Sequence, residues 1–332
     1  MDAQITRQVS TVNENLRRID QFNSKIQNLE LQGVDTLSLK DERGLLIDGI
    51  SSIIPVRAVN RDGGQVAVYT QNGAALLDGT IWELSFASAP TTVTYDMTAA
   101  NGALGGLKQD QRAHSGLVDI PTGTGNGPMD GGSLSALFQI RDGMVPGFTA
   151  EVDAFANDLI GRFRDLMPAS SLDGAGNGLF VAAGAGTDGL SARIAVNAAA
   201  DPDQGGHVWR LRDGLAAVTE GTAGNAAVLR AMSDAMATSR PPTGLISQTA
   251  STNSATMASE ISAFFAGKSA RSDDDLAFVT ARQATLSEQE VNFTGVDSDS
   301  ELEYLTMVEQ AYAANAKVLT TIDGLMQLLL EM

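Results

Sequence analysis

The chain has 332 residues, more than one core ordinarily organises, so two or three domains are expected. Forty acidic residues against 22 basic ones give a net charge of −18, which repels phosphate backbones and argues against a nucleic-acid partner. The absence of cysteine removes disulfide frameworks and thiolate metal sites, and no apolar run approaches a membrane span, so the fold must rest on packing and assembly.

The chain begins directly in a helical pattern. Ile5, Val9, Val12, Leu16, Ile19, Phe22, Ile26 and Leu29 recur at three- and four-residue steps, with Arg17, Arg18, Asp20 and Lys25 on the other face. A helix of about 28 residues would span roughly 42 Å. The same stretch lacks the continuous apolar core of a signal peptide, so export would need another signal. Gly33 breaks the pattern, and a second helix from Leu37 ends before Pro55. Beyond Pro55 the period becomes two: residues 65–70 alternate, Asn72-Gly73 supplies a hairpin turn, and Trp82, Leu84 and Phe86 alternate on a later strand. Residues 56 to about 110 therefore read as a small antiparallel β domain, followed by a glycine- and proline-rich loop at 123–132.

Helical spacing returns in Leu134, Leu137, Phe138, Val145, Phe148, Val152, Phe155, Leu159, Phe163 and Leu166, with a kink or restart expected at Pro146-Gly147. Residues 167–224 are glycine-rich and irregular, with one short strand through Leu190, Ala192, Ile194 and Val196. Three further helices are expected around Val228 to Met232, Met257 to Phe265 and Leu276 to Val291, the last preceded by Asp273-Asp274-Asp275 as N-terminal charge. The C-terminal stretch carries the strongest pattern. Leu305, Val308, Tyr312, Asn315, Leu319, Ile322, Met326 and Leu329 follow alternating three- and four-residue steps, a heptad seam that implies a partner helix. Asn315 either sets register in that seam or is solvated while Ala316 faces it. Packing this stripe against the N-terminal one is the economical arrangement.

Candidate chemistry has bland readings throughout. Gly184-Ala185-Gly186-Thr187-Asp188-Gly189, with Asp201 and Asp203 beyond, has the glycine spacing of a dinucleotide turn, but a strand follows where pyrophosphate binding needs a helix N-terminus. Asp297-Ser298-Asp299-Ser300-Glu301 invites a calcium loop, yet Leu302 and Val308 occupy the positions of its glycine and last acid, so helix capping is the better account. His114 and His207, the only histidines, lack convergent partners for ligation or base catalysis. Residues 189–193 lack the final glycine of a nucleophile elbow. Arg-Asp-Gly recurs at 61–63, 141–143 and 212–214, in turns at the first and third and within a helical stretch at the second. No catalytic, cofactor or metal site is expected.

The run Thr294-Gly295-Val296-Asp297-Ser298-Asp299-Ser300-Glu301-Leu302, followed by Val308 to Leu319, resembles the C-terminal signature of bacterial flagellar rod, hook and hook-associated proteins. Within that superfamily Leu39-Lys40-Asp41-Glu42-Arg43, the run Gly132 to Asp142 and Asp153-Ala154-Phe155-Ala156 resemble the hook-associated protein 1 family, the first of two hook–filament junction proteins. The family's N-terminal helix and its Pro-Gly-Tyr signature are absent, so an N-terminally truncated chain is expected. Gly44 replaces the acid that usually follows the arginine, and the family's Asn and His after Phe163 are missing.

The resemblance implies a non-enzymatic subunit of the extracellular bacterial flagellum, joining hook to filament and exported by the flagellar type III secretion system. Its implied partners are other copies in a junction ring, the hook protein, the second junction protein and an export chaperone, with no nucleic acid or membrane. An extracellular adhesin or host-interaction protein is the alternative. The expected fold is α+β: an elongated discontinuous helical bundle formed by N- and C-terminal segments (1–54, 131–166 and 225–332), with a small antiparallel β domain inserted at 55–130 and an irregular second insertion at 167–224. Residues 302–330 are the expected assembly helix, with its last turns, from Leu319 to Leu329, frayed in the isolated chain.

Overall fold

A computed structural model of the chain describes residues 1–89, 97–99, 102–111, 116–122, 125, 127–245, 250–294 and 298–330. They fall into two compact units, Met1–Phe264 and Phe265–Met332, each described by itself.

The first unit is built on α1 (Asp2–Glu30). Ile5, Val9, Val12, Leu16, Ile19 and Ile26 are buried along one face, as their spacing requires. The helix ends in a Schellman arrangement: Val34 N–H bonds Leu29 O and Gly33 N–H bonds Glu30 O, both at 3.0 Å, with Gly33 at φ 71°. The reversal lets α2 (Leu37–Ser51) run back along α1.

Two three-stranded antiparallel sheets close the rest of that face. The first is ordered β1 (Val56–Asn60), β2 (Val66–Thr70), β3 (Ala75–Leu77) and the second β4 (Leu84–Phe86), β5 (Leu107–Gln111), β6 (Gly116–Ile120). Gly73, at φ 92°, turns the β2–β3 hairpin where Asn72-Gly73 was expected to, whereas Trp82 lies outside the strands. Val66, Val68, Leu76, Leu77, Leu84, Leu107 and Ile120 pack with the α1 stripe, Ile50, Ile54 and, from α3 (Gly132–Gln139), Leu134 and Phe138 in one core. Each such side chain contributes about 1.5–3 kcal/mol by leaving water. The α1 stripe, which the sequence reading pairs with the C-terminal stripe, is thus closed by the sheets and helices of its own unit. An α1 flanked by strands on one side and α2 on the other has no apolar face left over.

The interruption expected at Pro146-Gly147 falls earlier. α3 passes through a π-helical turn, Ile140–Met144, into α4 (Val145–Asp165), and Val145 N–H bonds Ile140 O. Proline at 146 has no N–H to continue an α-helical ladder, and the widened turn absorbs that loss in the residues just before it. The irregular insertion contains a two-stranded sheet, β7 (Phe180–Ala182) and β8 (Ile194–Val196), and the one-turn helix α5 (Arg210–Asp213). Leu190–Ala192, expected to begin the strand, forms a 3₁₀ turn. It is placed by Asp153 of α4, which accepts bonds from Gly189 N at 2.6 Å and from Ser191 N at 2.8 Å. α6 (Ala227–Ala237) follows.

α7 (Ser254–Thr294) is one helix of 41 residues where two were expected, with Asp273-Asp274-Asp275 inside it and exposed. No proline interrupts residues 254–294, and their many alanines favour continuation over a break. α8 (Ser298–Leu330) stays helical through the turns expected to fray, because leucine, methionine and glutamine there are strong helix formers. The expected α+β class holds, with antiparallel sheets inserted between the terminal helices.

Candidate assembly interface

Alanines at 311, 313, 314 and 316 give α8 high intrinsic helicity, and its 33 residues span roughly 50 Å at 1.5 Å each. The hydroxyls of Thr306, Thr320 and Thr321 bond carbonyls one turn back, so they are satisfied inside the helix. The surface left over is largely hydrocarbon. Along the predicted stripe Leu305 is 63% exposed, Val308 49%, Tyr312 78%, Leu319 67%, Ile322 50% and Met326 59%. Asn315 and Ala316 are both exposed, and the side chain of Leu329 lies outside the described residues.

The sequence reading missed a second line. Met307, Ala311, Ala314, Val318, Thr321 and Leu325 also alternate four- and three-residue steps, roughly 110° around the helix from the first line. Met307, Val318 and Leu325 are exposed. On α7, Leu276, Phe278, Val279, Leu286, Val291 and Phe293 are exposed as well. These exposed apolar side chains make the surface a candidate for interaction. The second line escaped notice because small residues, Ala311 and Ala314, hold two of its positions and read as neutral.

The other candidate positions have structural occupations. In the loop at residues 184–189 the carbonyls of Gly186 and Asp188 accept bonds from Arg193, at 3.1 and 2.9 Å, so it wraps a cation of its own chain. Ser191 Oγ donates to Asp153, fixing the loop on α4. His207 stacks on Trp209 with ring centroids 5.7 Å apart. His114 and residues 295–297 lie outside the described residues, as do the side chains of Ser298 and Asp299. A cavity of 1120 Å³ beside the start of α1 is lined by Asp2, Arg141 and Asp153 among others, and all three already hold protein partners.

The internal motifs are structural too. Arg43, in the run 39–43, is buried and donates to Asn23 Oδ1 at 2.8 Å and to Gly64 O at 2.7 Å. Burial lowers its guanidinium pKa, with Glu30 opposing the shift. Lys40 pairs with Glu30 at 2.7 Å across the α1–α2 turn. Arg141, in the π turn, meets Asp142 at 2.6 Å and Asp2 at 3.2 Å and lies over the rings of Phe138 and Phe86.

Residues 1–180 match the family model described as the flagellar hook-associated protein FlgK helical domain, more than half of the chain. The chain belongs to the FlgK family of flagellar hook-associated proteins. Runs 39–43 and 132–142 and residues 153–156 all fall inside that match, so the resemblance carried by those residues is borne out. Residues 288–332 match a second model, the C-terminal domain of flagellar basal body rod FlgEFG proteins, which covers all of α8. The chain matches no curated protein. It is similar to the solved flagellar hook junction protein FlgK from Burkholderia pseudomallei at 19% identity and a TM-score of 0.41, covering 54% of this chain and 31% of that one. This chain therefore spans about a third of the length of that FlgK. The FlgK family is one of structural flagellar proteins.

Proposed function

We propose that this chain is a non-catalytic structural subunit of the flagellum, joining hook to filament, and that residues 302–330 of α8 are its assembly helix. The observation that carries this reading is the exposed heptad stripe of α8 inside the part matched by the rod-protein C-terminal model. Burying Leu305, Val308, Leu319, Ile322 and Met326 of that stripe would release on the order of 10 kcal/mol gross. That is comparable with the roughly 4–15 kcal/mol lost in association, so one seam alone is marginal. The second line and the exposed residues of α7 supply the remainder, which favours a site where α8 meets more than one helix.

In this reading the neighbours are further copies in a junction ring, the hook protein and the second junction protein. An export chaperone is a further partner, and the chain is exported by the flagellar type III system. No observation favours the adhesin reading. Deleting the gene and restoring it with a fluorescently labelled copy tests the proposal. Label at hook tips, and filaments shed into the medium by the deletion strain, are expected. Attached filaments in the deletion strain would overturn it.

A further inference from the structure

The most completely buried charge among the described residues belongs to α4. Arg162 of α4 is 0% exposed and the side chain of Asp158, one turn earlier, 1%. Arg162 Nε donates to Asp158 Oδ2, its Nη1 to Ala235 O at 3.0 Å and to Thr238 O, and its Nη2 to Thr252 O at 2.8 Å. Arg240 Nε donates to the other oxygen of the same carboxylate at 2.7 Å, and its Nη2 to Asp158 O at 3.0 Å.

The Asp158 carboxylate thus serves two guanidiniums, with Asp165 Oδ2 also 3.8 Å from Arg240 Nη1, and backbone carbonyls take up much of the positive charge of Arg162. Ala235 O and Thr238 O stand at the C-terminal end of α6, where unpaired acceptors and the helix dipole favour a cation. Thr252 and Arg240 also exchange backbone bonds, at 3.2 and 3.0 Å, one residue before Asn253, whose Oδ1 accepts from Thr256 N at 2.9 Å and so caps α7. Gly161 leaves the space in which Arg240 crosses α4, since a Cβ there would lie 2.5 Å from its Nη2.

Met257 and Ile261 are buried, and Phe264 meets Phe148 edge-on at 6.3 Å. Every residue of α7 from 266 to 293 is exposed. A planar five-donor group is what can bind three carbonyls from two segments and a carboxylate at once, a task a lysine or an apolar residue cannot perform.

We propose that Asp158, Arg162 and Arg240 are positioning residues that fix the root of α7, residues 252–264, on α4, and so hold the helix that leads to the assembly helix; this rests on the assembly reading of α8. A buried ion network adds little net stability over an apolar core of the same shape, and here its role is to select one arrangement of the root. Its loss is expected to loosen the root of α7 locally, without reaching the core around α1.

The test uses the full chain with Arg162→Met, which leaves Asp158 paired to Arg240, and Arg240→Met, which leaves it paired to Arg162. Amide hydrogen exchange in residues 238–264 is expected to accelerate at least tenfold in both, most in Arg162→Met, with wild-type exchange in residues 1–80. Incorporation at hook tips, measured at equal cellular levels, is expected to fall in both. Faster exchange throughout residues 1–80, or none in 238–264, overturns the proposal. So does a loosened root with full incorporation. Leu319→Asp is the control for the underlying reading: if it incorporates normally, the assembly role of α8 fails, and the exchange result still decides whether the joint exists.

Discussion

The side-chain oxygen of Asn23 accepts from Val66 N at 3.1 Å and from Arg43 at 2.8 Å, while its amide nitrogen donates to Val66 O at 2.8 Å. Ten residues earlier on the same helix Asn13 pairs with Leu84 in the same reciprocal way, at 2.8 and 2.9 Å. Each asparagine thus satisfies a strand-edge backbone pair that burial under α1 would otherwise leave without partners. Two polar residues within an apolar face fix where each sheet sits along the helix.

Asn23→Ala should therefore cost about 2–3 kcal/mol, because it strands a buried N–H, a buried C=O and one bond of Arg43. Asn13→Ala should cost somewhat less, having no arginine behind it. Urea unfolding of both variants measures this. A loss below about 0.5 kcal/mol in Asn23→Ala, the level of an ordinary surface change, would refute the pairing argument.

Arg141 ties the first turn of α1 to the π turn through Asp2 and Asp142. Burial works against its charge, and the two carboxylates more than offset that, raising its pKa. Arg141→Met leaves both acids without that partner in a half-closed site and should destabilise the first unit by about 3 kcal/mol. The companion observation is faster exchange at residues 1–10. Unchanged exchange there would show that the pair does not hold the helix start.

Asp173 gives a pH signature confined to one loop. Burial pushes its carboxyl pKa up, but bonds from Asn197, Asn177 and Ala175 outweigh that and hold it below the usual carboxylate range. A depressed folded pKa means stability that is present above the unfolded value of about 3.9 and lost as pH falls through the folded one. Protection from exchange in residues 173–178, relative to the intrinsic rate at each pH, should fall below about pH 4 in the wild type. In Asp173→Asn that protection should already be low at neutral pH, with no further acid step. An acid step of equal size in both proteins would assign the effect elsewhere.

Long periodic elements were legible in the sequence because period alone decides them. The stripe from Ile5 to Ile26 fixes α1, Gly33 and Pro55 bracket α2, and Asn72-Gly73 places a hairpin. The strands β5 and β6 escaped because polar residues such as Lys108, Gln109 and Asp119 interrupt their alternation, although Gln109 is buried with its amide on Ala75 O. The continuity of α7 escaped because three consecutive aspartates read as a helix start. Asn13, Asn23, Asp158 and Arg162 escaped for one shared reason: a buried polar side chain looks like a solvated one until its distant partners, some of them 43 to 90 residues away in sequence, are known. In the candidate interface the first seam was read residue by residue, while the second was hidden by alanines.

The central claim is that the α8 stripe carries assembly, and comparing Leu319→Asp with Thr320→Asp tests it most directly. Both introduce one carboxylate into an exposed position of the same helix, the first on the stripe and the second roughly 100° away on the polar face. In cells that depend on the variant, Leu319→Asp should leave hooks without attached filaments, while Thr320→Asp should incorporate at hook tips and support filaments as the wild type does. Attached filaments of normal number on Leu319→Asp hooks would contradict the account.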